Sequence, residues 1–121
     1  MNNANQAVHA QTWQPVCQRR DLVANSGVVV WLDGAQVALF YLPDDPQGRV
    51  LHAIDNHDPR SGANVIGRGI VGQLQGQLVV AAPLYKQHYA LADGHCLEAP
   101  AERLRTWPVR LHGDEVQIAL N

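Results

Sequence analysis

No stretch of this chain keeps a helical period for more than about two turns, because Gly, Pro or Asp closes each apolar run within a few residues. What remains is a series of short β-prone segments. The clearest spans Gly27 to Leu42, where two such runs flank Asp33-Gly34, a dipeptide that tolerates positive φ at both central positions of a tight hairpin. In its second arm Ala35, Val37, Leu39 and Tyr41 alternate with Gln36, Ala38 and Phe40, so both faces are largely apolar and the strand is expected inside a sheet. After the turn-rich PDDPQG (43–48), RVLHAID (49–55) carries Val50 and Ile54 as a further strand. QLQGQLVVAAP (73–83) reads as a hairpin at Gln75-Gly76, and Asp93-Gly94 marks another turn. Pro100 opens AERLR (101–105), where one helical turn is expected. Around Gly113-Asp114, Val109 and Leu111 on one side and Val116, Ile118 and Leu120 on the other predict a last hairpin with one wet face. Seven or more such strands specify an all-β fold of antiparallel sheets, a sandwich or a barrel.

A chain of 121 residues suits one domain that buries about two-thirds of its unfolded surface without a disulfide or metal staple. With 17% charged residues and a net charge of −2, it offers no basic patch for nucleic acid or a membrane surface. Cys17 and Cys96 lie far apart with no C-x-x-C spacing, no export signal precedes them and no long apolar span follows. The expected setting is the cytoplasm, with the two cysteines as packed thiols. The polar opening MNNANQAVHAQ lacks apolar periodicity and is expected to be a mobile tail up to a strand near Trp13.

Two motifs invite chemistry that their surroundings do not support. GRGIVG (67–72) matches the G-x-G-x-x-G dinucleotide fingerprint, whose phosphate site is the N-terminus of a following helix. Here a β-branched run with Gly76 follows instead, so the glycines are expected to serve tight turns. His57 and Asp58 on one loop and His88 on another suggest a metal, yet the chain lacks the closely spaced Cys and His ligands of a structural zinc site.

The loops NHDPRSGANV (56–65) and APLYKQHY (82–89) have the spacing N-x-C-P-H-x-G-A-x-L and C-P-x-H-x-x-x-F, which resembles the two cluster loops of Rieske ferredoxins. Pro59, Gly62, Ala63 and Pro83 keep the frame. At the four ligand positions stand Asp58, Arg60, Ala82 and Tyr85. A Rieske cluster needs two thiolates and two imidazoles there, and none of these side chains supplies either. The resemblance implies a single Rieske-like domain over residues 1–121, with base sheets from about 12–54 and 101–120 and a loop-bearing subdomain from about 55–100. Where a cluster would sit, an Asp58–Arg60 carboxylate–guanidinium bond with Tyr85 alongside is one expectation. The other has Asp58 capping its own turn and Arg60 facing water. Arg60, Arg68, Tyr85, Lys86 and His88, with Tyr89 nearby, form a candidate docking tip, since Arg and Tyr are favoured at protein interfaces.

DNHDPRSGANVIGRGIVG, followed by PLYKQHYAL, G-x-C-L-E and a closing PVR, is similar to the small subunit of NAD(P)H-dependent assimilatory nitrite reductase. That family typically keeps the Rieske-like fold without the ligands. The resemblance implies a large catalytic subunit as partner, which carries FAD, siroheme and an iron-sulfur centre and reduces nitrite to ammonium with NAD(P)H. This chain would hold no cofactor and no catalytic residue of its own. Two rivals stand beside this reading: a Rieske-type electron carrier, which needs the missing ligands, and a free-standing adaptor that uses the same fold to bind protein.

Overall fold

The computed structural model describes residues 12–120, so the expected N-terminal tail lies outside the described residues. Ten strands follow in order: β1 (Thr12–Gln18), β2 (Ser26–Leu32), β3 (Ala35–Tyr41), β4 (Leu51–Asp55), β5 (Ile70–Leu74), β6 (Gln77–Ala81), β7 (His88–Ala90), β8 (Thr106–Trp107), β9 (Val109–His112) and β10 (Glu115–Leu120). They form three antiparallel sheets, β1-β10-β9, β2-β3-β4-β8 and β5-β6-β7. Among the described residues the helical content is two 3-10 turns, Arg19–Asp21 and Ile66–Arg68. Among the described residues no helix is long and apolar enough to cross a membrane.

The middle sheet explains the doubly apolar run of β3. Val37 and Leu39 face the first sheet, where they join Leu32, Ala53, Trp107, Val116 and Ile118 in one core. Ala38 and Phe40 point the other way, into a second core with Ile54, Ile66, Val80, Tyr89 and Cys96. A strand with both faces buried gains little from alternation and reads as nearly continuous apolar sequence. Both β3 neighbours are in register along its length, Ser26↔Tyr41 to Leu32↔Ala35 on one side and Val37↔Asp55 to Tyr41↔Leu51 on the other.

The expected hairpins form where the turn chemistry placed them. Asp33 and Gly34 take φ of 49° and 82°, and Gln75 and Gly76 take 54° and 77°, the left-handed pairs that match the twist of the flanking strands. Cys17 is half-buried and Cys96 buried, both as free thiols.

Three local expectations need correcting. Val50 precedes β4, because its N–H bonds back to Gly48 and its carbonyl accepts from Leu42 in a turn. The AERLR segment is not helical: a turn closes at Glu102 N–H to the Ala99 carbonyl, and the chain then extends so that Arg103 bridges His95. The bridge to His95 outweighs the weak helix preference of so short a segment. The last hairpin has no wet face along β10, where Val116, Gln117, Ile118 and Ala119 are all buried. β10 is the centre of its sheet, and the outer side is roofed by Arg110, which donates to Gln117 Oε1 at 2.8 Å and lies 4.1 Å over the Trp13 ring.

Candidate functional site

The first loop leaves the end of β4 and is anchored by Asn56, buried at 2% exposure. Its backbone N–H donates to the Gln36 carbonyl at 3.0 Å. Its Nδ2 donates to Gln36 Oε1 at 2.9 Å and to the Asn64 carbonyl at 3.2 Å, while its Oδ1 accepts from Gly67 N–H at 2.7 Å. One side chain thus ties the loop's start, its end and the following 3-10 turn to β3. Asn56 opens the quoted loop frame, but nothing in its spacing indicates these three side-chain partners.

Asp58 is fully buried and acts as the internal cap of the loop. Its Oδ1 accepts from Arg60 N–H at 2.9 Å and its Oδ2 from Ser61 Oγ at 3.0 Å. Its own N–H donates to Ala63 O at 2.8 Å, and its carbonyl accepts from Gly62 N–H at 2.8 Å. This Asx geometry satisfies the carboxylate within five residues of chain. The expected Asp58–Arg60 side-chain bond is therefore corrected: the Arg60 guanidinium reaches away from Asp58 to Glu102 Oε2 at 2.5 Å. It does not face water freely either. The strap between loop 1 and the segment before β8 is Arg60–Glu102.

The second loop closes on Ala82, whose N–H donates to Gln87 O at 2.8 Å and whose carbonyl accepts from Lys86 N–H at 3.0 Å. Ala82 is buried, whereas Leu84, Tyr85 and Lys86 stand exposed at the crest. Tyr85 is therefore not packed into the gap between the loops. Tyr89 is: it is fully buried, and no protein group hydrogen-bonds its hydroxyl. Burial first, then the neighbouring charges of Asp58, Cys96 and Glu102, push its phenol up to about 12 against the pull of Arg60. Tyr89 stands where the Rieske frame has Phe, so its ring fills the same core space and its hydroxyl adds a polar end toward loop 1.

His57 and His88 do not converge. His57 Nδ1 lies 3.0 Å from Asn64 Oδ1, and His88 Nδ1 lies 2.7 Å from Glu98 Oε2, with Glu98 Oε1 also accepting from His88 N–H at 2.8 Å. Among the described residues no three His, Cys, Asp or Glu side chains are grouped as a metal site. Of the five docking candidates, Arg60 is thus ion-paired with Glu102 and His88 hydrogen-bonded to Glu98 within the chain, while Arg68, Tyr85 and Lys86 are exposed.

The G-x-G-x-x-G string runs from a 3-10 turn into a strand, and Gly67 and Gly69 serve close approach instead of tight turning, while Gly72 faces open space. A Cβ on Gly67 would fall 2.9 Å from Val29 Cγ2, and one on Gly69 would fall 2.5 Å from the Ala81 carbonyl oxygen. The turn therefore sits flat between β2 and β6.

A [2Fe-2S] cluster does not fit this site. Asp58 has both carboxylate oxygens committed to its own loop, Arg60 has no lone pair to give, Ala82 has no donor atom, and Tyr85 offers an exposed phenol where an imidazole is required. Fold and loops together define a Rieske-like domain whose four ligand positions hold no cluster ligand, and the profile of the Rieske-like [2Fe-2S] domain family matches residues 12–119. Within that class the chain belongs to the nitrite reductase small-subunit family. It is 36% identical to the nitrite reductase (NADH) small subunit of Salmonella typhimurium over 106 residues, 88% of this chain and 95% of that one. The solved structure of the Escherichia coli protein NirD superposes with a TM-score of 0.80 at 32% identity, covering 93% of this chain and 99% of that one. The chain is also 33% identical, over 93% of its length, to a segment making up 11% of a Klebsiella oxytoca nitrite reductase [NAD(P)H] large subunit.

Proposed function

We propose that this chain is a non-catalytic subunit of a cytoplasmic NAD(P)H-dependent nitrite reductase, where it supports a large subunit that binds FAD, siroheme and an iron-sulfur centre and converts nitrite to ammonium. One observation carries the reading: the four positions from which a Rieske domain holds its cluster are occupied by Asp58, Arg60, Ala82 and Tyr85, three of them committed to loop packing or an internal ion pair. A domain so built transfers no electrons through a cluster of its own and acts by contact. The Klebsiella protein supports the choice of partner, since a segment similar to this chain is there part of a polypeptide named as the large subunit. The loop tip, with Arg68, Tyr85 and Lys86 exposed, belongs to the docking surface in this reading.

The test is co-expression with the large subunit, followed by nitrite-dependent NADH oxidation with and without this chain. Activity should depend on its presence, and the two chains should co-purify. Stoichiometric iron and acid-labile sulfide in the isolated chain would overturn the reading in favour of an electron carrier. Absence of any association with the large subunit would overturn it in favour of an adaptor.

A further inference from the structure

Among the described residues six large apolar side chains are exposed, and five of them, Val29, Trp31, Ile70, Leu84 and Tyr85, lie on β2, at the start of β5 and at the crest of the second loop, segments that adjoin as a strip through Gly67 and Ala81. Val29 and Trp31 pair with Ala38 and Gln36, on the face of the middle sheet that carries the second core. The third sheet and the Ile66–Arg68 turn cover that face over β3 and β4, but the cover stops at Gly67, against Val29. β2 is the edge strand, so Trp31 is left 67% exposed. From Gly67 the strip runs through Gly69, which lies against the Ala81 carbonyl, to Ile70, the cross-strand partner of Ala81 and 74% exposed. Pro83, Leu84 and Tyr85 follow directly, so the strip ends at the crest of the second loop. A soluble domain seldom leaves a Trp, an Ile, a Leu and a Tyr bare along one line unless something covers them.

Charge identifies the cover. Arg68 and Lys86 are exposed on this strip, and neither has an ion-pair partner among the described residues, in contrast to Arg60, which pairs with Glu102. Two copies of this chain meeting through this surface would gather four unpaired cations, Arg68 and Lys86 from each, in one contact, which opposes self-association. An apolar surface flanked by carboxylates suits them. Accepting the small-subunit reading above, we propose that the strip from Trp31 to Tyr85 is the surface that docks on the large subunit, with Trp31 as its principal anchor and Arg68 and Lys86 facing acidic groups of the partner. The half-buried Asn56–Gln36 bond stiffens the platform, because Gln36 is the cross-strand neighbour of Trp31.

The test uses the full chain and separately purified large subunit, with binding followed by calorimetry. Trp31→Ala should weaken association about 30-fold or more, as truncating an interface hot spot does. Ile70→Ala should weaken it to a smaller extent, and Lys86→Glu should weaken it most at low salt. Arg19→Ala, beside the first sheet, should leave it unchanged. Melting curves by circular dichroism should superpose for all four variants, and Ile70→Ala carries the test if Trp31→Ala does not fold. Equal binding by wild type and by the folded strip variants overturns the proposed surface while leaving the small-subunit reading intact. Failure of the wild-type chain to bind overturns that reading and this one with it. Dimerisation of the isolated chain that Trp31→Ala abolishes would show that a second copy is the occupant and overturn the choice of partner.

Discussion

The side-chain oxygen of Asn56 accepts the Gly67 N–H at 2.7 Å, and this bond seats the first loop and the 3-10 turn after it against β3. Eleven residues of chain separate donor and acceptor, and the loop between them carries two of the four former ligand positions. The turn it seats is also the one that meets Val29. The geometry of the loop, the cover of the second core and the start of the exposed strip therefore share one support.

Asn56→Ala removes that support and leaves the buried Gly67 N–H without its partner. The loss should be about 2–3 kcal/mol, since a buried donor left unsatisfied costs its full desolvation. The denaturant midpoint should fall with the slope unchanged. A midpoint shift worth less than about 0.5 kcal/mol would mean that the loop is held elsewhere.

Tyr89→Phe should keep stability at neutral pH within about 1 kcal/mol or raise it, because the buried hydroxyl has no protein partner to lose. In alkali the two proteins should diverge. The unfolded phenol ionises near 10.0 and the folded one near 12, so the contribution of Tyr89 is complete below the first value and lost as the pH climbs through the second. Stability measured across that window should fall less steeply for Tyr89→Phe than for wild type.

Asp45 predicts the opposite slope at the acid end. The Arg49 side chain, bonding both carboxylate oxygens at 3.0 Å, together with the Arg49 backbone N–H at 2.8 Å, holds its carboxyl below the ordinary 3.8. Its contribution is complete above that ordinary value and lost as the pH falls through the lower folded one. Asp45→Asn should lower the melting temperature at neutral pH and flatten the acid dependence. Parallel acid profiles for the two proteins would contradict this account.

Gly94→Ala and Gly113→Ala separate conformational strain from collision. Both glycines have positive φ, 83° and 63°, but a Cβ on Gly113 meets nothing within 4 Å, whereas one on Gly94 would fall inside the Leu104 carbonyl. Gly113→Ala should cost about 1–2 kcal/mol for the left-handed backbone alone. Gly94→Ala should cost clearly more, because the Leu104 segment must move and the Leu104 N–H to Gly94 O bond goes with it. Equal losses in thermal melts would show that the segment yields freely.

Charge reversal at the loop tip must distinguish Arg60 from Lys86. Arg60→Glu would set a carboxylate against Glu102 and disturb the strap between loop 1 and the segment before β8. Lys86 has no ion-pair partner among the described residues, so Lys86→Glu should leave the melting temperature unchanged, within the roughly 1 kcal/mol typical of exposed charges. A large stability loss at Lys86 would remove it as a probe of docking.

Legibility followed the range of the interaction. Asp33-Gly34 and Gln75-Gly76 were readable as hairpins because turn type depends on two residues and their φ angles. The burial of β3 was readable because both of its faces carry apolar side chains. The reading of Asp58 was split, since an Asx cap and an ion pair to Arg60 satisfy the same carboxylate. AERLR was misread because a helical turn and an extended bridge to His95 differ by a partner eight residues away. Glu102 and Trp31 gave no local signal at all.

Pattern and residue chemistry alone dictate an all-β chain of antiparallel hairpins, two loops in a Rieske frame, and ligand positions that cannot bind iron, because each of these depends on near neighbours or on the atoms a side chain possesses. Only the folded arrangement gives Arg60 to Glu102, buries Tyr89 beneath the loops and leaves Trp31 bare at a sheet edge. Those outcomes depend on which distant strand lies alongside and how far one sheet extends over another, and neither is a property of any short stretch of residues.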